Sequence, residues 1–241
     1  MPLTLAHPVA VIPLRRLGLP MSALVLGSMV LDVPLYLGSQ RGYEITHSPV
    51  GIVTADIVLT LAVLAVWFFV LRDPLVDLSP GAVRARLDPR ARLTGRQWLL
   101  AIPAASIAAC THIAWDSFTH DDRWGSDHVA WLRTDHWGMA GLKWAQYVSG
   151  VVGLVIVIAW ALLELRSRRP DQPRPARALG PYALVAAIGI AGATGVSTAI
   201  VKVPHGLHSM AFHGVINSIV TAVLAVGVMS LIWRIAVASE S

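Results

Sequence analysis

The chain has 241 residues, of which 55% are hydrophobic and 14% charged, with a formal net charge of +5. A water-soluble domain carries about 25% charged residues, so this composition excludes a soluble globular protein and equally a disordered one. The single Cys110 excludes an internal disulfide framework and a thiolate zinc site, because each needs several cysteines.

The opening Leu3–Leu14 is apolar but broken by Pro8 and Pro13, and it is too short to span a bilayer. Arg15 and Arg16 follow this run instead of preceding it, which does not fit a signal peptide. Segment 21–37 reads as a short, kinked crossing that carries Asp32 and Pro34. Five longer apolar stretches follow, at 51–71, 98–118, 142–163, 181–201 and 211–233. Each approaches the ~20 residues a helix needs to cross at 1.5 Å per residue. The expected fold is all-α: a polytopic transmembrane helical bundle of about six membrane segments, forming one integral-membrane domain over 1–241. Within it, 1–163 is the part rich in polar candidates, 164–180 a polar cytoplasmic linker and 181–233 a terminal helical hairpin.

Charge sets orientation. If all six segments cross, 14 of the 19 basic residues fall on one side, in the 72–97 and 164–180 connections and at Arg15, Arg16 and Arg234. Arg41, Arg123, Arg133 and Lys202 fall on the other, with Lys143 at a boundary. Positive loops stay inside, so both termini and the Arg-rich connections are expected in the cytoplasm of a bacterial cell, with the bundle in its inner membrane. Loops 38–50, 119–141 and 202–210 then face outward. Trp67, Trp98, Trp160 and Trp233 form an inner aromatic belt, and Trp115, Trp124, Trp131, Trp137 and Trp144 an outer one.

Every histidine except His7 falls on that outer side. The strongest unit is residues 111–120, where His112, Asp116 and His120 recur at i, i+4 and i+8 on one helix face. Two imidazoles and a carboxylate are suitable donors for Zn²⁺ or Mn²⁺, and such groups are costly in an apolar helix end unless something compensates them. Asp32 is an ionisable residue in an apolar run, and His47 precedes the next membrane helix at the same depth. Asp56, one turn into that helix, is a candidate for orienting His47. Arg123 and Arg133 are the only basic groups of the 119–141 loop and can grip a phosphate. His205, His208 and His213 cluster around the start of the last helix, with Asn217 one turn after His213. His7 has two placements. It lies far from the others if residues 3–14 rest on the inner surface. It reaches them if the chain re-enters from the outer side and turns at Arg15–Arg16.

Residues 2–8, residues 22–29 with Asp32, Thr46-His47-Ser48 and the block 111–120 together resemble a bacterial family of polytopic membrane proteins described as a domain of unknown function. That family is distantly similar to membrane-bound metal-dependent hydrolases and, beyond them, to zinc-dependent phospholipase C. The resemblance implies a ligand order of His, Asp, His, a His-x-x-x-Asp pair and His. Here His7, Asp32, His47, His112, Asp116 and His120 meet that order, and it brings His7 into the site through a re-entrant N-terminal segment. The soluble enzymes add a later His-x-x-x-Glu pair; here His136 is followed by Ala140 and His213 by Asn217, so one or two ions are expected rather than three.

The resulting expectation is a metal-dependent hydrolase acting on a phosphoester at the outer membrane face. It would use one or two divalent ions, zinc or else manganese, with Asp32 as the catalytic base or bridging ligand. Membrane lipid and a lipid-linked or phosphorylated substrate are the expected partners. No nucleic-acid-binding pattern is present. The alternative is a non-catalytic membrane protein using the His/Asp cluster for ion binding, transport or packing.

Overall fold

The computed structural model describes residues 4–88, 90–170, 177, 179–180 and 182–239. These residues are helical almost throughout; the one strand pair among them joins Asp135–His136 to Met139–Ala140. Five helices are long and apolar enough to cross a membrane: Ala55–Leu78, Gly95–Asp116, Gly141–Ser167, Tyr182–His205 and Ser209–Ala238. A sixth apolar stretch, Met21–Tyr36, is shorter. The α-helical cores of the main elements are labelled α1 (Met21–Gly27), α2 (Gln40–Thr46), α3 (Ala55–Leu78), α4 (Gly95–Asp116), α5 (Gly141–Ser167), α6 (Tyr182–Lys202) and α7 (Leu207–Ser239). Of the expected 164–180 linker, residues 164–167 continue α5, whereas 171–176 and 178 lie outside the described residues.

The chain divides into two compact units: residues 1–64 with 93–164, and residues 65–92 with 165–241. The first unit is built on α4. Thr94 starts this helix by accepting from the Gln97 amide at 3.3 Å, while the Gln97 side chain accepts from the Thr94 amide at 2.8 Å. Each bond satisfies an otherwise orphaned helix-end donor. Ala101, Ala104, Ala105, Ala108 and Ala109 recur at helical spacing and are fully buried, forming one smooth face. Gly27 of α1 packs on that face so closely that a Cβ there would lie 3.1 Å from both Ala105 Cα and Ala108 Cβ. Small residues let two backbones approach where apolar burial against lipid offers little driving force.

Residues 4–17 form short helical turns and pack beside α1 and α4. Gly18, at φ +71°, reverses the chain into α1. This path places Thr4 and His7 at the Asp116 end of α4. Past Gly27 the α-helix breaks: Asp32 donates its amide to Met29 O at 3.4 Å, and Val30–Asp32 is a 3-10 turn. An uninterrupted α-helix would have used the Ser28 carbonyl for the Asp32 amide. The break leaves that carbonyl available to another donor.

In the second unit a π-turn at Trp67–Leu71 precedes Pro74 in α3. Proline has no amide hydrogen for the carbonyl four residues back, which is Val70. Arg234 Nη2 donates to Val70 O at 3.2 Å and also to Phe69 O. Asp77 accepts from Arg84 Nη2 at 2.6 Å and from Trp233 Nε1 at 2.8 Å. α6 and α7 pair through small residues: a Cβ on Gly195 would meet Ser218 Oγ at 2.5 Å. Ser218 Oγ donates to Ala191 O at 2.8 Å, and Asn217 donates to Thr198 at 3.1 Å. Outward positions such as Ile188, Val196, Leu224 and Ile235 are exposed and apolar, which suits a lipid surround.

Candidate metal centre

Four stretches of the first unit deliver six side chains to the Asp116 end of α4. His112 and Asp116 occupy the last turns of that helix. The helix stops at Asp116, so His120 is not on a continuous face. It comes from the turn that follows, where its amide bonds Asp116 O at 3.0 Å. Asp32 ends the 3-10 turn after α1. His47 sits between α2 and the short helix Pro49–Ile52, whose start Ser48 caps by accepting from the Gly51 amide at 3.0 Å. A Cβ on Gly51 would lie 2.0 Å from Ile45 O, so only glycine permits this tight corner. His7 arrives on the N-terminal segment and stacks on His112 with ring centroids 3.8 Å apart.

The contacts are mutual. His112 Nε2 lies 3.3 Å from Asp116 Oδ2 and 3.7 Å from Asp32 Oδ1. His47 Nε2 lies 3.7 Å and 3.8 Å from the same two oxygens. His7 Nε2 and His120 Nδ1 lie 3.6 Å and 3.4 Å from Asp116 Oδ1. His7, Asp32, His112 and Asp116 are each at most 4% exposed, and His47 is 9% exposed.

The far side of each ring fixes what faces inward. His112 Nδ1 is 2.8 Å from Ser28 O, the carbonyl left open by the helix break, and His47 Nδ1 is 2.9 Å from Tyr43 O. A carbonyl only accepts, so Nδ1 carries a proton in both rings, and in the neutral ring Nε2 presents a lone pair. Those lone pairs point at carboxylate oxygens, which also carry only lone pairs. Nε2 of His47 and His112, and Oδ1 of Asp32 and Asp116, are buried without a hydrogen-bond partner. Such a buried contact calls for a cation between the groups, either a proton between His112 and Asp116, 3.3 Å apart, or a metal ion.

Spacing and donor chemistry agree with a metal ion. Donors bound at about 2.1 Å in a tetrahedron stand about 3.4 Å apart, close to the 3.3–3.8 Å between the imidazoles and carboxylates here. Two ligand triads satisfy metal spacing, His7 with Asp32 and His112, and His47 with His112 and Asp116. The carbonyl-anchored imidazoles are the arrangement that holds a metal-ligating histidine in one tautomer.

Sequence reasoning missed the supports. Thr4 donates to Asp32 Oδ2 at 2.5 Å and bonds Tyr36 in turn. The Tyr43 ring lies tilted against His47 at 3.9 Å, with the Arg123 side chain near its hydroxyl. Burial, and then the nearby Asp116 and Asp32, push the Tyr43 phenol up to about 12. Tyr36 and Tyr43 each lie four residues from a ligand candidate, a helical-turn spacing that marks them. Trp115 stands edge-on to His7 at 5.6 Å, and its Nε1 donates to Ser149 at 3.1 Å. Asp56 does not orient His47, whose Nδ1 is taken by Tyr43; both its carboxylate oxygens are buried without a hydrogen-bond partner.

Burial holds the His7 imidazole down to about 3. Burial also brings His120 down to about 4. Both rings are therefore neutral, the state a ligand requires. In the following loop, His128 stacks on Trp124 and His136 on Trp131, while Asp121 lies 3.9 Å from Lys143. In the second unit His213 donates to Ser209 O at 2.9 Å, and the side chain of His208 lies outside the described residues.

No curated protein and no solved structure matches the chain. One family does, described as Domain of unknown function (DUF4184), over residues 1–239. The match covers nearly every residue, the six clustered donors included, and the chain belongs to that family.

Proposed function

We propose that this protein is a membrane-bound, metal-dependent hydrolase acting on a phosphoester at the outer face of the bacterial inner membrane. The observation that carries the proposal is the convergence of His47 and His112 lone pairs on Asp32 and Asp116. Imidazole and carboxylate donors without thiolate are the set used by catalytic zinc sites, which also accommodate a fifth ligand. Zinc, or manganese in the same donors, would supply an acidified water and a Lewis acid for a phosphoryl oxygen.

The chain's own residues do the rest. Asp32 is held by Thr4 and aims Oδ1 at the cluster, where it can take a proton from an attacking water. Arg123, near Tyr43 beside His47, would set a permanent cation where a phosphate is gripped. The Arg-rich 72–97 and 164–180 stretches support an orientation with the cluster outward, in reach of a lipid or lipid-linked head group.

The test is turnover of a chromogenic aryl phosphodiester and of phospholipid vesicles by detergent-purified protein. The proposal expects turnover that a chelator abolishes, that zinc restores, and that Asp32→Asn and His112→Ala both lose. Undiminished turnover in both variants would overturn it. A second reading, ion binding or passage, is favoured by Asp56 and Thr60: one turn apart on α3, fully buried, with bare oxygens. It expects zinc uptake into proteoliposomes that Asp56→Asn abolishes, and no phosphoester turnover.

A further inference from the structure

The second unit buries a cation that its described carboxylates do not neutralise. Arg72 lies within the apolar span of α3 and is 9% exposed. An arginine guanidinium stays charged in proteins and carries five N–H donors in one plane. Nη1 of Arg72 is buried without a hydrogen-bond partner. Its one ion-pair contact among the described residues is Asp73 Oδ1, at 4.0 Å, beyond hydrogen-bond reach. Asp73 is already committed, because Arg92 donates from Nη1 to Oδ1 at 2.9 Å and from Nη2 to Oδ2 at 2.6 Å. The other described carboxylates of the unit are Asp77 and Asp88. Asp77 accepts from Arg84 and Trp233, and Asp88, which is exposed, accepts from the Arg90 amide at 2.9 Å. Arg168 adds a further positive charge close enough to act on Arg72. A buried charge without a hydrogen-bonded counter-ion is strongly unfavourable, so the arrangement calls for an anion from outside the chain.

We infer that Arg72 and Arg92 form a site for the phosphate of an anionic lipid head group at the membrane boundary. Guanidinium donors match phosphate oxygens in pairs. Phe69, one turn before Arg72, is 52% exposed, and the Arg92 guanidinium stands 5.7 Å over its ring. The cations therefore border an apolar surface that acyl chains can cover and a free phosphate cannot. The charge bias that supports a cytoplasmic position for the 72–97 stretch favours the leaflet where basic pockets meet anionic head groups. The site lies wholly in the second unit and uses none of the clustered His and Asp donors, so it stands or falls apart from the hydrolase reading.

The experiment measures thermal unfolding of delipidated, detergent-purified protein with dioleoylphosphatidylglycerol, dioleoylphosphatidylcholine or inorganic phosphate added. Phosphatidylglycerol at ten times its measured Kd is expected to raise the midpoint by about 3–6 °C, and the other two to leave it nearly unchanged. Arg72→Met should lose this rise, while Asp73→Asn, which frees Arg92 for the phosphate, should enlarge it. Native mass spectrometry of the wild type needs no variant and should retain one phosphatidylglycerol per chain. A rise as large with inorganic phosphate would assign the site to a free anion and overturn the lipid. A rise as large with phosphatidylcholine would overturn the anionic head group. A rise unchanged in Arg72→Met, or a wild type that retains no phosphatidylglycerol, would overturn the site.

Discussion

Asp32→Asn separates the need for a cation from the need for packing. Asp32 Oδ2 accepts from Thr4, while Oδ1 stands 3.7 Å and 3.8 Å from the bare Nε2 atoms of His112 and His47. In the variant the amide oxygen keeps the Thr4 bond, and the amide nitrogen takes the Oδ1 position. It then presents N–H donors to the same imidazole lone pairs. The metal-free variant is expected to be as stable as the metal-free wild type, or more so, because acceptor–acceptor contacts become donor–acceptor contacts. Zinc binding should be lost, since an anionic donor has been replaced by hydrogens. A ligand that binds only the folded state at 100 times its Kd adds about 2.7 kcal/mol. At ~2–4 °C per kcal/mol for a chain of this size, zinc should raise the wild-type midpoint by about 5–11 °C. The assay is thermal unfolding in detergent, with and without zinc, on both proteins. A variant that is destabilised without zinc yet keeps the full zinc-induced rise would refute the reasoning, because Asp32 would then be a packing residue.

Gly153 of α5 meets Ala6 just before His7; an added Cβ would lie 3.0 Å from Ala6 Cβ and 3.3 Å from its carbonyl. Gly153→Val should cost about 1–3 kcal/mol by overpacking and lower zinc content by displacing His7, checked by thermal unfolding and elemental analysis. Burial disfavours the charged rings of His7 and His120, so in metal-free protein their ¹⁵N shifts should stay those of neutral imidazole from about pH 8 to about pH 5. Their folded values lie below the ordinary 6.5, so the stability tied to their neutrality is present above that pH and lost as pH falls toward the folded values. Protonation of either ring at pH 6 would contradict this. In the second unit, Trp233→Phe removes the 2.8 Å donation to Asp77 and should lower the unfolding free energy by about 1 kcal/mol in denaturant titrations.

Hydropathy made the long helices legible because a bilayer imposes a minimum apolar length on each crossing. It placed their ends less well. α3 begins at Ala55 rather than 51 because Ser48 caps a separate short helix there, and α7 runs past the apolar run at both ends. Asp32 and the His112–Asp116 pair stood out because polar groups are expensive in such segments. Spacing alone misread His120, which follows a helix terminus instead of extending a face. His7 was undecided on residue pattern alone, since nothing in Leu3–Leu14 specifies the reversal that Gly18 makes. The Ser28 carbonyl was illegible, because a backbone acceptor becomes available only when three-dimensional packing breaks the helix around it. Tyr43 and Thr4 support the centre through contacts that no single-residue pattern announces.

X-ray absorption at the zinc edge of the reloaded, detergent-purified protein tests the cation site most directly. The expected spectrum has nitrogen and oxygen neighbours at about 2.0–2.1 Å with the outer-shell scattering of imidazole rings, and it changes in His112→Ala. A spectrum of zinc surrounded by water alone, identical in wild type and His112→Ala, would contradict the account.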